Sequence, residues 1–100
     1  MGRASKRKGY GFEVELVQRA AQHQLPAERA WGSNGAAMKC HHTVDCLIAG
    51  RKVQAKRRRA IPSWLGMSQH VDAVAIREDR GQTYVVLRFE EWLELLKDRQ

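Results

Sequence analysis

The stretch Thr43-Val44-Asp45-Cys46-Leu47-Ile48-Ala49-Gly50-Arg51-Lys52-Val53-Gln54-Ala55-Lys56-Arg57 decides the fold. Val44, Cys46 and Ile48 alternate with Asp45, the period of a half-buried strand, over Thr43 to Ala49. Gly50 marks a turn and Lys52 to Arg57 make a second β run, so the two read together as a hairpin. Residues two apart in a strand point the same way. Gln54 and Lys56 therefore share a face, Arg57 points to the other, and a carboxylate on the neighbouring strand can join the first pair. Asp45, Gln54 and Lys56 are expected to converge.

Upstream, Phe12, Leu16 and Ala20 recur every four residues with Val17 and Ala21 beside them, the stripe of an amphipathic helix over about residues 11–24 that ends before Pro26. Residues 1–9 are polar and basic and contain two glycines, which predicts a flexible lead-in to a single domain over 10–100. Ala27 to Trp31 reads as a short strand, and Gly32-Ser33-Asn34-Gly35 opens a loop that continues to about residue 42. Downstream, Pro62 suits the first turn of a short helix carrying Trp64, Leu65 and Met67. Val71 to Ile76 and Thr83 to Arg88 read as strands joined around Arg80-Gly81, followed by a helix with Phe89, Trp92, Leu93 and Leu96 on one face. The order α-β-β-β-α-β-β-α predicts one α/β domain with a mixed central β-sheet flanked by helices.

A chain of 100 residues is long enough for one core and too short for two. No apolar stretch approaches the roughly 20 residues that span a bilayer, and Met1-Gly2-Arg3-Ala4-Ser5-Lys6 runs into Arg7-Lys8 with no apolar signal region. A soluble, cytoplasmic protein is expected. The net charge of +7 is unevenly spread: residues 1–60 carry 13 Lys/Arg against 4 Asp/Glu (+9), and residues 61–100 carry 5 against 7 (−2). Clusters such as Lys6-Arg7-Lys8 and Lys56-Arg57-Arg58-Arg59 attract phosphate backbones and release their counterions, so nucleic acid is the expected partner. The alternative is that these runs are merely solvated faces.

The hairpin also offers chemistry. Magnesium takes hard oxygen ligands and keeps several waters, so the Asp45 carboxylate, the Gln54 amide oxygen, a backbone carbonyl at Ala55 and a substrate phosphate would suffice. A nearby lysine, Lys56, would orient the attacking water or stabilise charge on the phosphate. By spacing alone an Asp on one strand and a Lys on the next reads more readily as a surface pair.

A resemblance sharpens the reading. Lys8-Gly9-Tyr10-Gly11-Phe12-Glu13-Val14-Glu15-Leu16-Val17 resembles the opening helix of archaeal and phage-type Holliday junction resolvases of the PD-(D/E)xK superfamily, where a G-x-x-x-E-R-E-L pattern carries the first acidic residue. Gly32-Ser33 resembles that family's Gly-Ser loop, Val44-Asp45 its V-D or P-D step, and Val53-Gln54-Ala55-Lys56 its E-V-K strand. Val71-Asp72-Ala73-Val74-Ala75-Ile76 and Thr83-Tyr84-Val85-Val86-Leu87-Arg88 resemble the later strands of short phage members, so the likeness covers roughly residues 8–96.

The resemblance implies a restriction-endonuclease-like fold and a Mg2+-dependent endonuclease, with Mn2+ as substitute, that cuts branched DNA in recombination. Its substrate would be the four-way Holliday junction, and it would act as a homodimer in a bacterial, prophage or phage-infected cell, with no membrane or small-molecule partner. Glu13, Asp45 and Gln54 would be catalytic metal ligands with Ala55, Lys56 would assist the water, and Lys6, Arg7, Lys8, Ser33, Arg57, Arg58 and Arg59 would hold DNA. Three features depart from the pattern: Gln54 stands where Glu is usual, removing one negative charge, Val14 stands where Arg is frequent, and Ala36 to Thr43 lengthens the loop before Asp45 while the turn between Asp45 and Gln54 is short.

Those departures keep two rivals in view. One is a non-catalytic, structure-selective nucleic-acid-binding module on the same fold. The other is a basic subunit that docks on another protein or on structured RNA. Cys40-His41-His42 and Cys46 contain zinc-ligand types at the wrong spacing for the usual pairs, and His41 or His42 reads as an exposed loop residue beside Asp45. Trp92 belongs to a core face by its spacing, whereas Trp31 and Trp64 would serve base stacking or a dimer contact.

Overall fold

The fold is that of a computed structural model, which describes residues 2–30 and 41–99, with side chains from Tyr10 onward. Helix α1 spans Gly2–Gln22, strands β1 to β5 span Ala27–Arg29, Cys46–Ile48, Arg51–Val53, Ala73–Arg77 and Thr83–Leu87, and helix α2 spans Phe89–Lys97. The chain divides into two compact units, one formed by residues up to Arg57 and one by Arg58–Arg99.

In the first unit, α1 packs on a three-stranded antiparallel sheet ordered β1-β2-β3. Its buried face comprises Glu13, Leu16 and Ala20, while Phe12 and Val17 are half-buried and Ala21 is exposed. Leu16 and Ala20 are thus where the apolar spacing places them, and the acidic Glu13 joins them in the buried stripe while Ala21 leaves it. Backbone hydrogen bonding carries α1 back through residues 2–9, where a flexible lead-in was expected. Its C-terminus is closed by a Schellman arrangement: Leu25 N–H donates to Ala20 O (3.1 Å) and Gln24 N–H to Ala21 O (2.9 Å), with Gln24 left-handed at φ 59°. Leu25 and Ala20, the apolar pair that accompanies this motif, are both buried.

The β2–β3 hairpin has the expected alternation, with Val44, Cys46 and Ile48 buried and Asp45 and Leu47 half-buried. Ile48 pairs with Arg51, leaving a two-residue turn of Ala49 (φ 50°) and Gly50 (φ 79°). Positive φ at both central positions matches the right-handed twist of the flanking strands.

In the second unit β4 and β5 form a separate two-stranded antiparallel ribbon, from Ala73 opposite Leu87 to Arg77 opposite Thr83. Helix α2 follows, its Leu93 and Leu96 buried, with Phe89 and Trp92 ring centroids 6.2 Å apart. Glu90 and Glu91 in the first turn and Lys97 in the last complement its dipole. Arg88 fastens the preceding loop: its guanidinium donates to Ser68 O (2.7 Å) and Val71 O (3.0 Å) and pairs with Glu91 (3.3 Å).

The mixed central sheet is therefore corrected to two antiparallel sheets, and the observed order among the described residues is α-β-β-β-β-β-α. Parallel pairing needs a crossover of a dozen or more residues, usually a helix. The segment after Pro62 supplies none: Leu65 N–H reaches Pro62 O (2.9 Å) and Gly66 N–H reaches Ser63 O (3.2 Å), and the turn stops there. Ile61 and Trp64 stay 58% and 63% exposed, so no buried apolar stripe rewards extending it into a helix. No helix among the described residues is long and apolar enough to cross a membrane.

Candidate functional site

The site lies in the first unit, where the β2–β3 ladder ends. Continuing the pairing of Cys46 with Val53 brings Asp45 across from Gln54, but there the register slips. Asp45 N–H donates to Val53 O (2.8 Å), and Asp45 Oδ2 accepts the N–H of Ala55 at 2.7 Å. On the other side of β2, Ala30 N–H donates to Asp45 O (2.9 Å). The carboxylate of Asp45 is thus held against the backbone of Gln54-Ala55-Lys56 by a charge-assisted hydrogen bond. Val53 and Ala55 are half-buried and Gln54 and Lys56 exposed; β3 ends at Val53, so both of the latter lie on irregular chain beyond it rather than on the longer strand expected over Lys52 to Arg57.

Glu13 approaches from α1 and is buried. Its Oε1 accepts two hydrogen bonds from Arg29, at 3.2 Å from Nε and 3.0 Å from Nη2. The same guanidinium lies 4.3 Å from the ring centroid of Tyr10, one helical turn before Glu13. Arg29 was not among the residues singled out from sequence. The available signal was strand alternation: with Glu28 facing solvent, Arg29 must face α1 together with Cys46, its cross-strand partner.

Cys46 links the two carboxylates electrostatically. Burial, then the negative charges of Glu13 and of Asp45, push its thiol up to about 11, against a smaller opposing effect of Arg29. Both acidic side chains therefore act on one buried sulfur.

The oxygen donors on this segment are of the hard type that a divalent cation takes, and an octahedral ion such as magnesium would complete its shell with waters and substrate phosphate. Asp45, the Gln54 amide and the Ala55 carbonyl offer oxygen ligands, and magnesium commonly uses one or two carboxylates with waters and substrate phosphate. Glu13 would join this set while already paired with Arg29. Among the described residues no group of three or more His, Cys, Asp and Glu is assembled; Cys40 of the Cys40-His41-His42 and Cys46 pattern lies outside them. Cys46 is a free thiol.

Of the DNA-holding residues named from sequence, Arg57, Arg58 and Arg59 are exposed on the irregular segment that leaves β3. Lys6, Arg7 and Lys8 lie on the backbone of α1, their side chains outside the described residues, and Ser33, Trp31 and Cys40 also lie outside them. His41 and His42 stack with ring centroids 4.1 Å apart. His41 Nδ1 contacts Thr43 Oγ1 (2.9 Å) and accepts Thr43 N–H (3.3 Å), which turns that nitrogen to a local loop role. Compared with models of known protein families, with curated proteins and with solved structures, the chain matches none.

Proposed function

We propose that the chain is a metal-dependent endonuclease that cuts phosphodiester bonds in branched DNA, with the four-way Holliday junction as substrate. The observation that carries this reading is the Asp45 carboxylate bonded at 2.7 Å to the N–H of Ala55, between Gln54 and Lys56. It ties the half-buried carboxylate of Asp45 to the segment that carries the Gln54 amide oxygen and the Lys56 ammonium, both exposed.

In this account Asp45, Gln54, the Ala55 carbonyl and Glu13 hold Mg2+ or Mn2+. The ion supplies a water of lowered pKa and positive charge for the phosphate oxygens. Lys56, exposed beside the Asp45 anchor, orients the attacking water and stabilises the same developing charge. Arg29 fixes the rotamer of Glu13, and Arg57 to Arg59 take the DNA backbone. Paired cuts across a junction need two such sites, so the working form is a homodimer.

The Glu13–Arg29 pair favours a second reading, a junction-binding module without cleavage, because it leaves Asp45 as the only carboxylate at the site not already matched to a cation. Labelled four-way junction and matched linear duplex, each with Mg2+, Mn2+ or EDTA, separate the two. Paired cuts near the branch that vanish in EDTA are expected; tight junction binding with no cutting in either metal would establish the binding module instead.

A further inference from the structure

We propose that β5 pairs edge to edge with β5 of a second copy of this chain, joining two ribbons into one four-stranded antiparallel sheet. The β4–β5 ribbon has the composition of a sheet interior. Val74, Ile76, Tyr84 and Val86 share one face, and Ala73, Ala75, Val85 and Leu87 the other, so both faces are apolar up to Arg77 and Thr83 at the end. Yet there are only two strands, and neither outer edge pairs with another strand among the described residues. A two-stranded ribbon is marginal in water, and further strands are what stabilise it. Tyr84 and Val85 remain 59% and 61% exposed on opposite faces of β5. A ligand seated on one face would cover one of them, whereas a strand added along the edge shields both.

The edge that accepts the strand is β5. Gly81 to Leu87 carries no charge and no proline, the devices that keep edges from pairing, whereas β4 follows Asp72 and ends on the exposed Arg77. Thr83-Tyr84-Val85-Val86-Leu87 is also self-complementary. A two-fold axis at Val85 sets Val85 against its own copy, Tyr84 against Val86 and Thr83 against Leu87, with every pair uncharged. The other outer strands, β1 and β3, are three residues long and carry Glu28, Arg29, Arg51 and Lys52, a poorer match. Charge agrees with a second copy. Residues 58–99 hold seven Lys/Arg against seven Asp/Glu, so the second units of two copies meet without net repulsion and offer a polyanion no net attraction.

The contact is modest. Tyr84 and Val85, with Trp64 lining one hollow beside Tyr84, expose on the order of 400 Å2 per copy, so the pair with its strand edges buries on the order of 1,000 Å2 in total. That is the lower end for a specific interface, which makes the dimer dissociable at micromolar concentration.

The pairing gives the homodimer of the nuclease reading its contact, but it rests on the ribbon, and its test needs no DNA, metal or cleavage. Failed cleavage would leave it standing, and a failed dimer would leave the Asp45 site untouched. Light scattering in EDTA should show the mass of the full chain climb from 11.5 kDa toward twice that value between about 1 and 200 µM. Val85→Lys and Val85→Glu should each hold it at 11.5 kDa, because each charge then faces its own copy, and mixing the two should restore the climb. In a chain with Cys40→Ser and Cys46→Ala, Val85→Cys treated with oxidised glutathione should form a covalent dimer and Gln82→Cys should not. A mass of 11.5 kDa at every concentration, a dimer that Val85→Lys leaves intact, or equal cross-linking at both positions would overturn the proposal. So would a mixture that stays at the monomer mass while Val85→Cys fails to cross-link.

Discussion

Glu13 lies on the buried face of α1 with Leu16 and Ala20, a position that Leu or Ala would fill at no electrostatic cost. Arg29 compensates it, and the pair is only partly exposed, so cutting it should be felt. Arg29→Ala is expected to cost about 1–3 kcal/mol in urea unfolding, the worth of a charge-assisted hydrogen-bonded group left unpaired. An unchanged midpoint would show that Glu13 finds its charge balance elsewhere. The thiol of Cys46 gives a second handle. Because its pKa rises from 9.0 to about 11 on folding, the unfolded chain loses this proton first as pH increases. The native state holds more protons between pH 9 and 11, and stability from this group falls across that window, by roughly 2 kcal/mol at its upper end. Cys46→Ala should remove that decline, and Glu13→Gln or Asp45→Asn should each speed alkylation of Cys46 at pH 9–10 in a Cys40→Ser background. If only one carboxylate variant did so, the two would not act on the same sulfur. At this scale the sequence singled out Asp45, Gln54 and Lys56 from an alternation that the structure keeps in burial only, because β3 stops at Val53 before the last two. Alternation in β1 could turn Arg29 inward, but its partner Glu13, 16 residues earlier on α1, was not legible.

Elements carry their own strain. Gln24, Ala49 and Arg80 adopt φ of 59°, 50° and 61°, where a Cβ is disfavoured and glycine is not. Gln24→Gly keeps the Schellman bonds of α1 and should stabilise the protein by about 0.5–1 kcal/mol, read as a rise in thermal midpoint. A fall would mean that the Gln24 amide, which donates to Gln22 O at 3.2 Å, contributes more than the backbone strain removes. The two hairpins were legible from Gly50 and from Arg80-Gly81, since short turns dictate antiparallel neighbours. The helix expected after Pro62 was not formed, because an initiating proline and three apolar residues do not make a buried stripe when Gly66 follows two residues after Trp64. Without that crossover the parallel pairing of a mixed sheet had no means of forming.

Across the whole molecule, the charge balance is the feature that sequence states most directly, with +9 in residues 1–60 and −2 in residues 61–100. Arg59→Ala should weaken duplex binding uniformly and lower the slope of log K against log salt by about one. A slope equal to that of the unmodified protein would remove Arg59 from the phosphate contacts. The division into two units was not legible, because the apolar periodicities of β4, β5 and α2 are those of any core and do not say which sheet they join.

The central claim is that the Asp45 carboxylate and the Lys56 ammonium form one hydrolytic site. Its most direct test is the single-turnover rate of four-way junction cleavage in Mg2+ for the unmodified chain, Asp45→Asn and Lys56→Ala, with junction affinity measured beside it. Cleavage should fall by at least about 100-fold in both variants while binding stays within a few-fold. Cleavage in either variant at the unmodified rate would contradict the account.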